Sequence, residues 1–289
     1  MEIAQLLSRD FDETTYLRLN PDVSEAVKNR AFASGLEHCL SYGLNEDRPG
    51  IPQSIKDRML YNNPATSPPE HLRKRVHGDG SLSSFHGAGR LLAYNIYNTT
   101  RTIDDMKPHS RILDFGCGCG RVINYLSKYF RQSRFYGSDI DDEAIAWCRS
   151  ELSYVGEFVT NKAMPPLPFE DKLFDMVYSI SVFTHLPETM QFAWLEELKR
   201  VTRSDGILLL TTHGEELFAN APEEYRAQLA ESGFFYTVGD GTDGLPEFYQ
   251  TTYHTDDYIL ENWGRYFTIR KILKRTIMCH QDLVICKNS

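Results

Sequence analysis

The chain lacks a positive charge balance and long apolar runs. It carries 31 Lys and Arg against 40 Asp and Glu, a formal net charge of −9 over 289 residues. Such an acidic chain is disfavoured for binding nucleic acid or anionic membrane through bulk charge. No apolar stretch has the length of a membrane span, and the first residues do not form a signal-peptide pattern. We therefore expect a cytoplasmic protein with no nucleic-acid partner and no membrane insertion, and its oligomeric state is left open.

Cysteine is also scarce. Six cysteines are spread along the chain without the spacing of a disulfide framework, which favours reduced thiols. Cys117 and Cys119 form only a Cys-x-Cys pair with no second pair nearby, so their spacing gives little support to a zinc site. We predict no metal site.

Strand-like and helix-like periodicities alternate from residue 110 onward. The segments RILDF, RFYGSD, GEFVT, LFDMVYSIS and GILLLTT are typical of buried strands, and amphipathic helical stretches separate most of them. The last segments, FTIRKIL and QDLVICK, are joined by a short connection that favours an antiparallel pair. This order predicts an α/β protein with a doubly wound, mainly parallel sheet of seven strands.

The pattern divides the chain into three parts. Residues 1–52 are predicted to form a small helical module, in which Pro21 opens one helix and Ser34 caps another. Residues 53–109 are predicted to contain a connector and helices that cap the cofactor site, and residues 110–289 the main domain. The segment at about 214–255 is long for a connection and rich in aromatic residues, so we predict a substrate-binding or lid insertion there.

The stretch RILDFGCGCGRV joins the first predicted strand to its helix. In a doubly wound sheet this turn lies at the ligand-binding edge. Gly116, Gly118 and Gly120 permit positive φ angles and close approach of a ligand, while free N–H groups at a helix start favour an anionic group. Asp139 ends the second predicted strand, where an acid can accept hydrogen bonds from ribose hydroxyls. The sequence thus indicates a nucleotide-like cofactor.

The spacing of the glycines disfavours a dinucleotide. A Gly-x-Gly-x-x-Gly motif starting at Gly116 would need its third glycine at the position of Arg121. Asp114 would lie close to a pyrophosphate, where its negative charge is unfavourable, but it suits a cation. We expect Arg121 to pair with a nearby carboxylate.

The motif LDFGCGCGR resembles the first motif of class I S-adenosylmethionine-dependent methyltransferases, and FYGSDID, PPLPFEDKLFDMVYSISVFTHLPE and ELKRVTRSDGILLLTTHG match further elements of the same family. The likeness spans roughly residues 85–289 and is greatest to a broad bacterial methyltransferase-domain group. It implies a Rossmann-like methyltransferase fold and S-adenosyl-L-methionine as cofactor. The cofactor contacts that it implies are Asp114, Gly116, Cys117, Gly118, Gly120, Asp139, Ile140, Asn161 and Ser179.

Two of these contacts have structural alternatives. Asn161 stands where many relatives carry an acid toward the adenine amine, and Ser179 is expected beside the sulfonium, but either residue could instead cap a strand end. Residues 11–50 also resemble a short helical module of bacterial surface and glycan-related proteins. That likeness points to a cellular context and assigns no chemistry.

The resemblance implies methyl transfer to a small-molecule or sugar or glycan acceptor, with a hydroxyl group favoured. A hydroxyl must lose its proton, so a base with a pKa near the working pH is expected close by. His185 and His213 follow the fourth and fifth predicted strands and are the candidates for this catalytic role. The alternatives are a non-catalytic cofactor-binding scaffold protein and a nicotinamide-dependent oxidoreductase.

Overall fold

The computed structural model describes residues 11–43, 46, 48–52, 67–103, 109–238 and 246–289, with the backbone alone at residues 40 and 41. Parts of the predicted module (1–10), connector (53–66, 104–108) and insertion (239–245) lie outside the described residues. The predicted division into three parts therefore stays a prediction.

Ten α-helices occur within the described ranges, together with a π-helix at Cys39–Gly43 and 3₁₀ turns at Glu215–Phe218 and Trp263–Arg265. The helices are α1 (Glu13–Leu19), α2 (Pro21–Lys28), α3 (Gly35–His38), α4 (Glu70–His77), α5 (Leu82–Ile103), α6 (Ile123–Leu126), α7 (Asp142–Glu151), α8 (Glu188–Val201), α9 (Glu223–Ser232) and α10 (Asp256–Asn262). The strands are β1 (Arg111–Phe115), β2 (Arg134–Asp139), β3 (Gly156–Thr160), β4 (Phe174–Ser179), β5 (Thr202–Gly214), β6 (Phe234–Tyr236), β7 (Thr252–His254), β8 (Thr268–Ile277) and β9 (Gln281–Lys287).

The central sheet has the predicted doubly wound arrangement. Strands β3, β2, β1, β4 and β5 lie side by side in that order and run parallel. Strand β9 pairs antiparallel with β5, and β8 pairs antiparallel with β9, so the predicted terminal hairpin is confirmed. Since the carboxyl ends of parallel strands share one edge, the residues after β1, β2 and β4 lie close together.

The sheet has nine strands in the described ranges, where the sequence predicted seven. The additional strands, β6 and β7, come from the predicted insertion and pair with each other antiparallel. Strand β5 pairs with β9 from Ile207 to Thr212 and with β7 only at His213 and Gly214. The prediction missed this pair because strands of three residues carry almost no periodic signal.

Both faces of the sheet are covered, as parallel strands require. One core packs α5, α6 and α7 against the sheet through residues such as Ile96, Leu126 and Ile145. The other core packs α8 and α10 through residues such as Trp194 and Ile259. The strand ends that form the candidate site are therefore held between two hydrophobic cores.

The helix after the glycine loop is shorter than its periodicity predicted. The pattern of Val122, Leu126, Tyr129 and Phe130 suggested a helix over that whole stretch, but α6 covers only Ile123–Leu126. Hydrogen bonds from each N–H to the carbonyl three residues back, at Tyr125, Lys128 and Tyr129, tighten the following residues into turns. All four predicted apolar side chains nevertheless contribute to the same core.

The amino-terminal helices pack on α5. Pro21 is the first residue of α2, and the Ser34 hydroxyl accepts a hydrogen bond from the Glu37 amide at 3.0 Å, as predicted for the helix starts. The buried side chains of Tyr16 and Val23 share a cluster with Leu91 of α5. The segment therefore shares part of its core with α5.

Candidate functional site

A cavity lies over the carboxyl ends of β1, β2 and β4. The space between its walls, including the open solvent at its mouth, is about 950 Å³. Among the sequence-predicted cofactor contacts, the residues lining it are Asp114, Gly116, Cys117, Gly118, Asp139, Ile140 and Asn161. Gly120, Ser179 and both candidate catalytic histidines are not part of the lining.

The glycine loop adopts a backbone that side chains disfavour. Gly116, Gly118 and Gly120 have φ angles of 81°, 52° and 79°. A β-carbon would overlap Val182 at Gly116 and Leu152 at Gly120. The loop is held to β2 by hydrogen bonds from the amides of Gly116 and Cys117 to the carbonyl of Ser138, at 2.8 and 3.0 Å. The glycines are thus required by the packing of the protein itself.

The Asp139 carboxylate lies at the end of β2 and connects two parts of the cavity wall. Its oxygens accept hydrogen bonds from the Gly118 amide at 2.7 Å and the Asp141 amide at 2.9 Å. Burial raises the pKa of this carboxyl above its usual value, while the backbone hydrogen bonds oppose that shift. A carboxylate with two backbone donors still has lone pairs for ligand hydroxyls.

Asp114 is a buried acid beneath the cavity. Its side chain is 2% exposed and accepts a hydrogen bond from the Tyr178 hydroxyl at 2.7 Å. Burial raises the pKa of Asp114 to about 7, although the Tyr178 hydrogen bond works in the opposite direction. A cationic group bound nearby would favour the ionised carboxylate.

Asn161 and Ser179 differ in their surroundings. The Asn161 amide donates to the carbonyl of Lys162 at 2.8 Å, and its side-chain oxygen is buried without a hydrogen-bond partner beside the cavity. That oxygen is free to accept a hydrogen bond from a ligand. The Ser179 hydroxyl is fully buried and donates to the Phe115 carbonyl at 2.8 Å, as the strand-capping alternative requires. Both cofactor contacts stay predictions.

Helix α4 lies across the glycine loop. A β-carbon at Gly118 would meet the Val76 side chain, and Val76 and Arg75 both line the cavity. Arg75 forms ion pairs with Asp141 and Glu143, each at 2.9 Å. From the sequence alone, the basic stretch HLRKRVH that contains Arg75 is assigned no ligand, because a solvated helix face is the more common explanation of such a run.

Arg121 also lines the cavity, but its surroundings differ from the prediction. The guanidinium donates through Nη1 to His77 Nδ1 at 2.9 Å, and its buried Nε–H has no hydrogen-bond partner. Among the described residues no carboxylate forms an ion pair with Arg121, so the expected pairing is absent in this structure. The side chain of α4 that accepts from Arg121 is an imidazole, where the prediction required a carboxylate.

His185 lies behind an aromatic side chain. Its Nδ1–H donates to the Gln250 carbonyl at 2.8 Å, which leaves Nε2 as the unprotonated nitrogen of the neutral ring. The ring stacks on Tyr249 with a centroid distance of 4.1 Å, and Tyr249 lines the cavity. Burial lowers the pKa of His185, which keeps its imidazole neutral near pH 7.

His213 is 6% exposed at the end of β5, and its Nδ1 has no hydrogen-bond partner. Its ring centroid lies 6.1 Å from that of His185 and 5.1 Å from that of His280. Burial, with smaller contributions from the other two imidazoles, lowers the pKa of His213 to about 3. The two predicted histidines therefore share one cluster on the far side of Tyr249, and their catalytic roles stay predictions.

Comparison with known proteins identifies the domain that holds the cavity. Residues 113–210 match a family model described as a methyltransferase domain. The chain is 29% identical over 201 residues to a fatty-acid O-methyltransferase of Mycolicibacterium smegmatis, a match that covers 66% of this chain and 61% of that protein. It is 32% identical over 139 residues to a phthiotriol/phenolphthiotriol dimycocerosates methyltransferase of Mycobacterium ulcerans, covering 48% and 49%.

The solved structures extend the likeness to the fold. A geranyl diphosphate methyltransferase in complex with S-adenosylmethionine has a TM-score of 0.50 over 73% of this chain and 92% of that one, at 10% identity. Identity at that level shows a shared fold alone. The chain spans about half to three fifths of the lengths of the two curated relatives. Within the described ranges, no helix combines the length and apolarity of a bilayer span.

Proposed function

We propose, from the premise that the chain belongs to the class I S-adenosylmethionine-dependent methyltransferases, that it transfers a methyl group to an oxygen atom of a lipid-like acceptor such as a fatty acid. The observation that carries this proposal is the contrast within one cavity. Asp139 and Asn161 line one part of the cavity, called its floor below, with polar side chains. Val182, Leu186 and Phe248 line another part with apolar side chains.

The residues of the floor fit the cofactor of this family. Asp139 would accept hydrogen bonds from the ribose hydroxyls, and the unpartnered oxygen of Asn161 would accept one from the adenine amine. Asp114 would face the cationic amino-acid end, because a positive charge offsets the cost of burying its carboxylate. When bound, the cofactor supplies an electrophilic methyl group on a sulfonium.

The apolar lining supports a lipid-like acceptor. An apolar chain that enters such a cavity gains roughly 25 cal/mol for each Å² removed from water. The two curated relatives are named for fatty-acid and dimycocerosate substrates. The sugar or glycan acceptor expected from the sequence has less support, because neither name refers to a carbohydrate acceptor.

The chemistry at the acceptor depends on which oxygen is methylated. A fatty-acid carboxyl has a pKa near 4 and is already ionised at pH 7, so the protein has only to orient it and exclude water. A hydroxyl needs a base, and His185 suits that role because its Nδ1–H donates to Gln250 and leaves Nε2 free to accept a proton. Tyr249 would then have to move from the face of the His185 ring.

A screen with methyl-labelled S-adenosylmethionine tests the proposal. Fatty acids of several chain lengths are compared with the corresponding alcohols and with alkyl glycosides. We expect label on a fatty acid, lost on alkaline hydrolysis as a methyl ester must be; a methyl ether would keep it. Label on glycosides alone would contradict the lipid-like acceptor. Intact binding of the demethylated cofactor with no labelled product across the screen would favour the non-catalytic alternative.

A further inference from the structure

Arg121 is the exception among the cationic side chains that line the cavity. Arg75 is ion-paired with two carboxylates, and Lys162 is exposed to solvent. Arg121 is instead held against a ring nitrogen of His77, and its Nε–H is buried without a hydrogen-bond partner. Arg121 is partly buried, and its buried Nε–H without an acceptor is energetically costly. An anion supplied by a ligand would satisfy this N–H and the positive charge together.

The partner on α4 does not neutralise Arg121. His77 Nε2 donates to the Ser84 hydroxyl at 2.6 Å while Nδ1 accepts from Arg121, which is the arrangement of a neutral imidazole. Burial, together with the nearby charge of Arg121, lowers the pKa of His77 to about 4. This bond fixes the direction of the guanidinium and leaves its positive charge unbalanced.

The backbone of Arg121 is fixed as well. Helix α5 approaches so closely at Gly89 that a β-carbon there would overlap the Arg121 carbonyl oxygen. The side chain is therefore oriented from both ends, by α5 at its backbone and by His77 at its guanidinium. An arginine oriented in this way can form two parallel hydrogen bonds to a carboxylate with little further loss of conformational freedom.

Asp114 and Arg121 give the cavity opposite charges that are not paired with each other. Each influences the ionisation of the other, yet no ion pair joins them among the described contacts. An ammonium and a carboxylate on one ligand would satisfy both groups at once. Separated charges of this kind are complementary to a zwitterion.

We propose that Arg121 is the carboxylate receptor of this cavity. Two ligands could supply that group: the amino-acid end of the cofactor, or an acid acceptor. The inference rests on the proposed function in one respect, because that function supplies the cofactor and the acid acceptor as ligands. Binding measurements test it without turnover, so a failure of this inference can be told from a failure of methyl transfer.

Calorimetry with two cofactor forms provides the first arm. S-adenosylmethionine carries the carboxylate, and its decarboxylated form keeps the amine and lacks only that group. If the cofactor supplies the carboxylate, Arg121→Gln should weaken the binding of S-adenosylmethionine by ~10-fold or more, which corresponds to the loss of one charge-assisted hydrogen bond. The same variant should weaken the binding of the decarboxylated form by less than about twofold. Arg121→Lys should retain part of the affinity.

Decanoate and decanol, titrated in the presence of S-adenosylhomocysteine, provide the second arm. A loss of affinity for decanoate alone in Arg121→Gln would assign the receptor to the acceptor. Arg75→Gln is the matched control, and because Arg75 is already paired, its effects should be equal within each ligand pair. Unchanged affinities in Arg121→Gln, or equal losses with and without the carboxylate in both arms, would overturn the inference. A wild-type protein that binds no cofactor form would overturn the proposed function as well.

Discussion

Two regions at the carboxyl edge of the sheet differ in the chemical groups that they contain. The region that we propose for the cofactor, called the cofactor edge below, contains Asp114, Gly116 and Asp139 after β1 and β2, and uses carboxylates and backbone amides from one short stretch of chain. The region that we propose for the acceptor, called the acceptor edge below, lies around the ends of β4 and β5. It contains the neutral rings of His185, His213 and Tyr249 from three separate segments, and of these three Tyr249 lines the cavity. The comparison teaches that the first region is held by hydrogen bonds within a local segment, whereas the second depends on ring contacts between segments that are distant in sequence.

The largest expected effect breaks the cofactor edge. Asp139→Ala removes the acceptor for two ribose hydroxyls and leaves the Gly118 and Asp141 amides without their partner. At roughly 1.5 kcal/mol for each charge-assisted bond, the affinity for S-adenosylhomocysteine should fall by about 150-fold. Calorimetry would measure it, with Asp142→Ala, an exposed neighbouring acid, as the control. Equal affinities in the two variants would remove Asp139 from the cofactor site.

The next effect breaks the acceptor edge and depends on the acceptor. With a fatty alcohol, His185→Ala should lower the single-turnover rate by ~100-fold, because a hydroxyl needs a general base. With a fatty acid the rate should stay within about threefold, since the carboxylate is already ionised.

Rates across pH 5.5 to 9 supply the control. In the alcohol reaction the acidic limb should disappear along with the imidazole, while cofactor affinity stays unchanged. A His185→Ala enzyme that keeps both its alcohol rate and its acidic limb would leave His213 or positioning alone as the explanation.

A third, smaller effect is a pH dependence of cofactor binding that arises at the cofactor edge alone. Burial holds the pKa of Asp114 at about 7, and binding of a cationic ligand requires the ionised form. The affinity for S-adenosylhomocysteine should therefore rise by ~10-fold between pH 6 and pH 8 and level off above, with proton release at the lower pH. Asp114→Asn should abolish both the pH dependence and the proton release. A wild-type affinity that is flat across this range would argue against an ammonium beside Asp114.

The smallest effect concerns the stability of the ligand-free protein, where the two edges act in opposite directions. The folded pKa of Asp114 is raised to about 7 from 3.8, so its contribution to stability is lost as pH rises from 4 to 7. The folded pKa of His213 is lowered to about 3 from 6.5, so its contribution is lost as pH falls from 6.5 to 3. Each slope is at most ~1.4 kcal/mol per pH unit.

Urea unfolding at pH 4.5, 5.5, 6.5 and 7.5 would measure both slopes. Because the two pH ranges overlap between pH 4 and 6.5, the opposite slopes should largely cancel in the wild type. Asp114→Asn should leave a stability that rises with pH over this range, and His213→Gln a stability that falls with pH. A variant whose slope equals that of the wild type would show that the substituted group does not titrate in this way.

The sequence was sufficient to predict the conformation of the glycine loop and the position of Asp139, because their requirements are local. Positive φ at Gly116 and Gly118 and an acid at the end of the next strand are properties of one short segment, and they appear as fixed spacings. The order of the parallel strands and the terminal hairpin followed from periodicity in the same way. The catalytic and cofactor roles of the individual residues stay predictions.

The rest of the site depends on contacts between distant segments. No local sequence pattern predicts that Arg121 donates a hydrogen bond to His77. The same is true of the hydrogen bond from the Tyr249 hydroxyl to the carbonyl of Ser181 at 2.9 Å. From the sequence we expected a carboxylate partner for Arg121, and only the position of His77 on α4 shows an imidazole there instead. The β6–β7 pair was missed for a related reason, since it gains its order from pairing rather than from its own sequence.

The divided pairing of β5 has a consequence for how such a chain could change over generations. Six consecutive residues of β5 pair with β9, whereas only the last two pair with β7. The segment that follows β5 therefore shares only two residue pairs with β5, and further hydrogen bonds reach from it to the loop and helix that follow β4. A related protein could carry a longer, shorter or different segment at this position, suited to another acceptor, while the pairing of β5 with β9 stays the same. An engineer could splice at the same position.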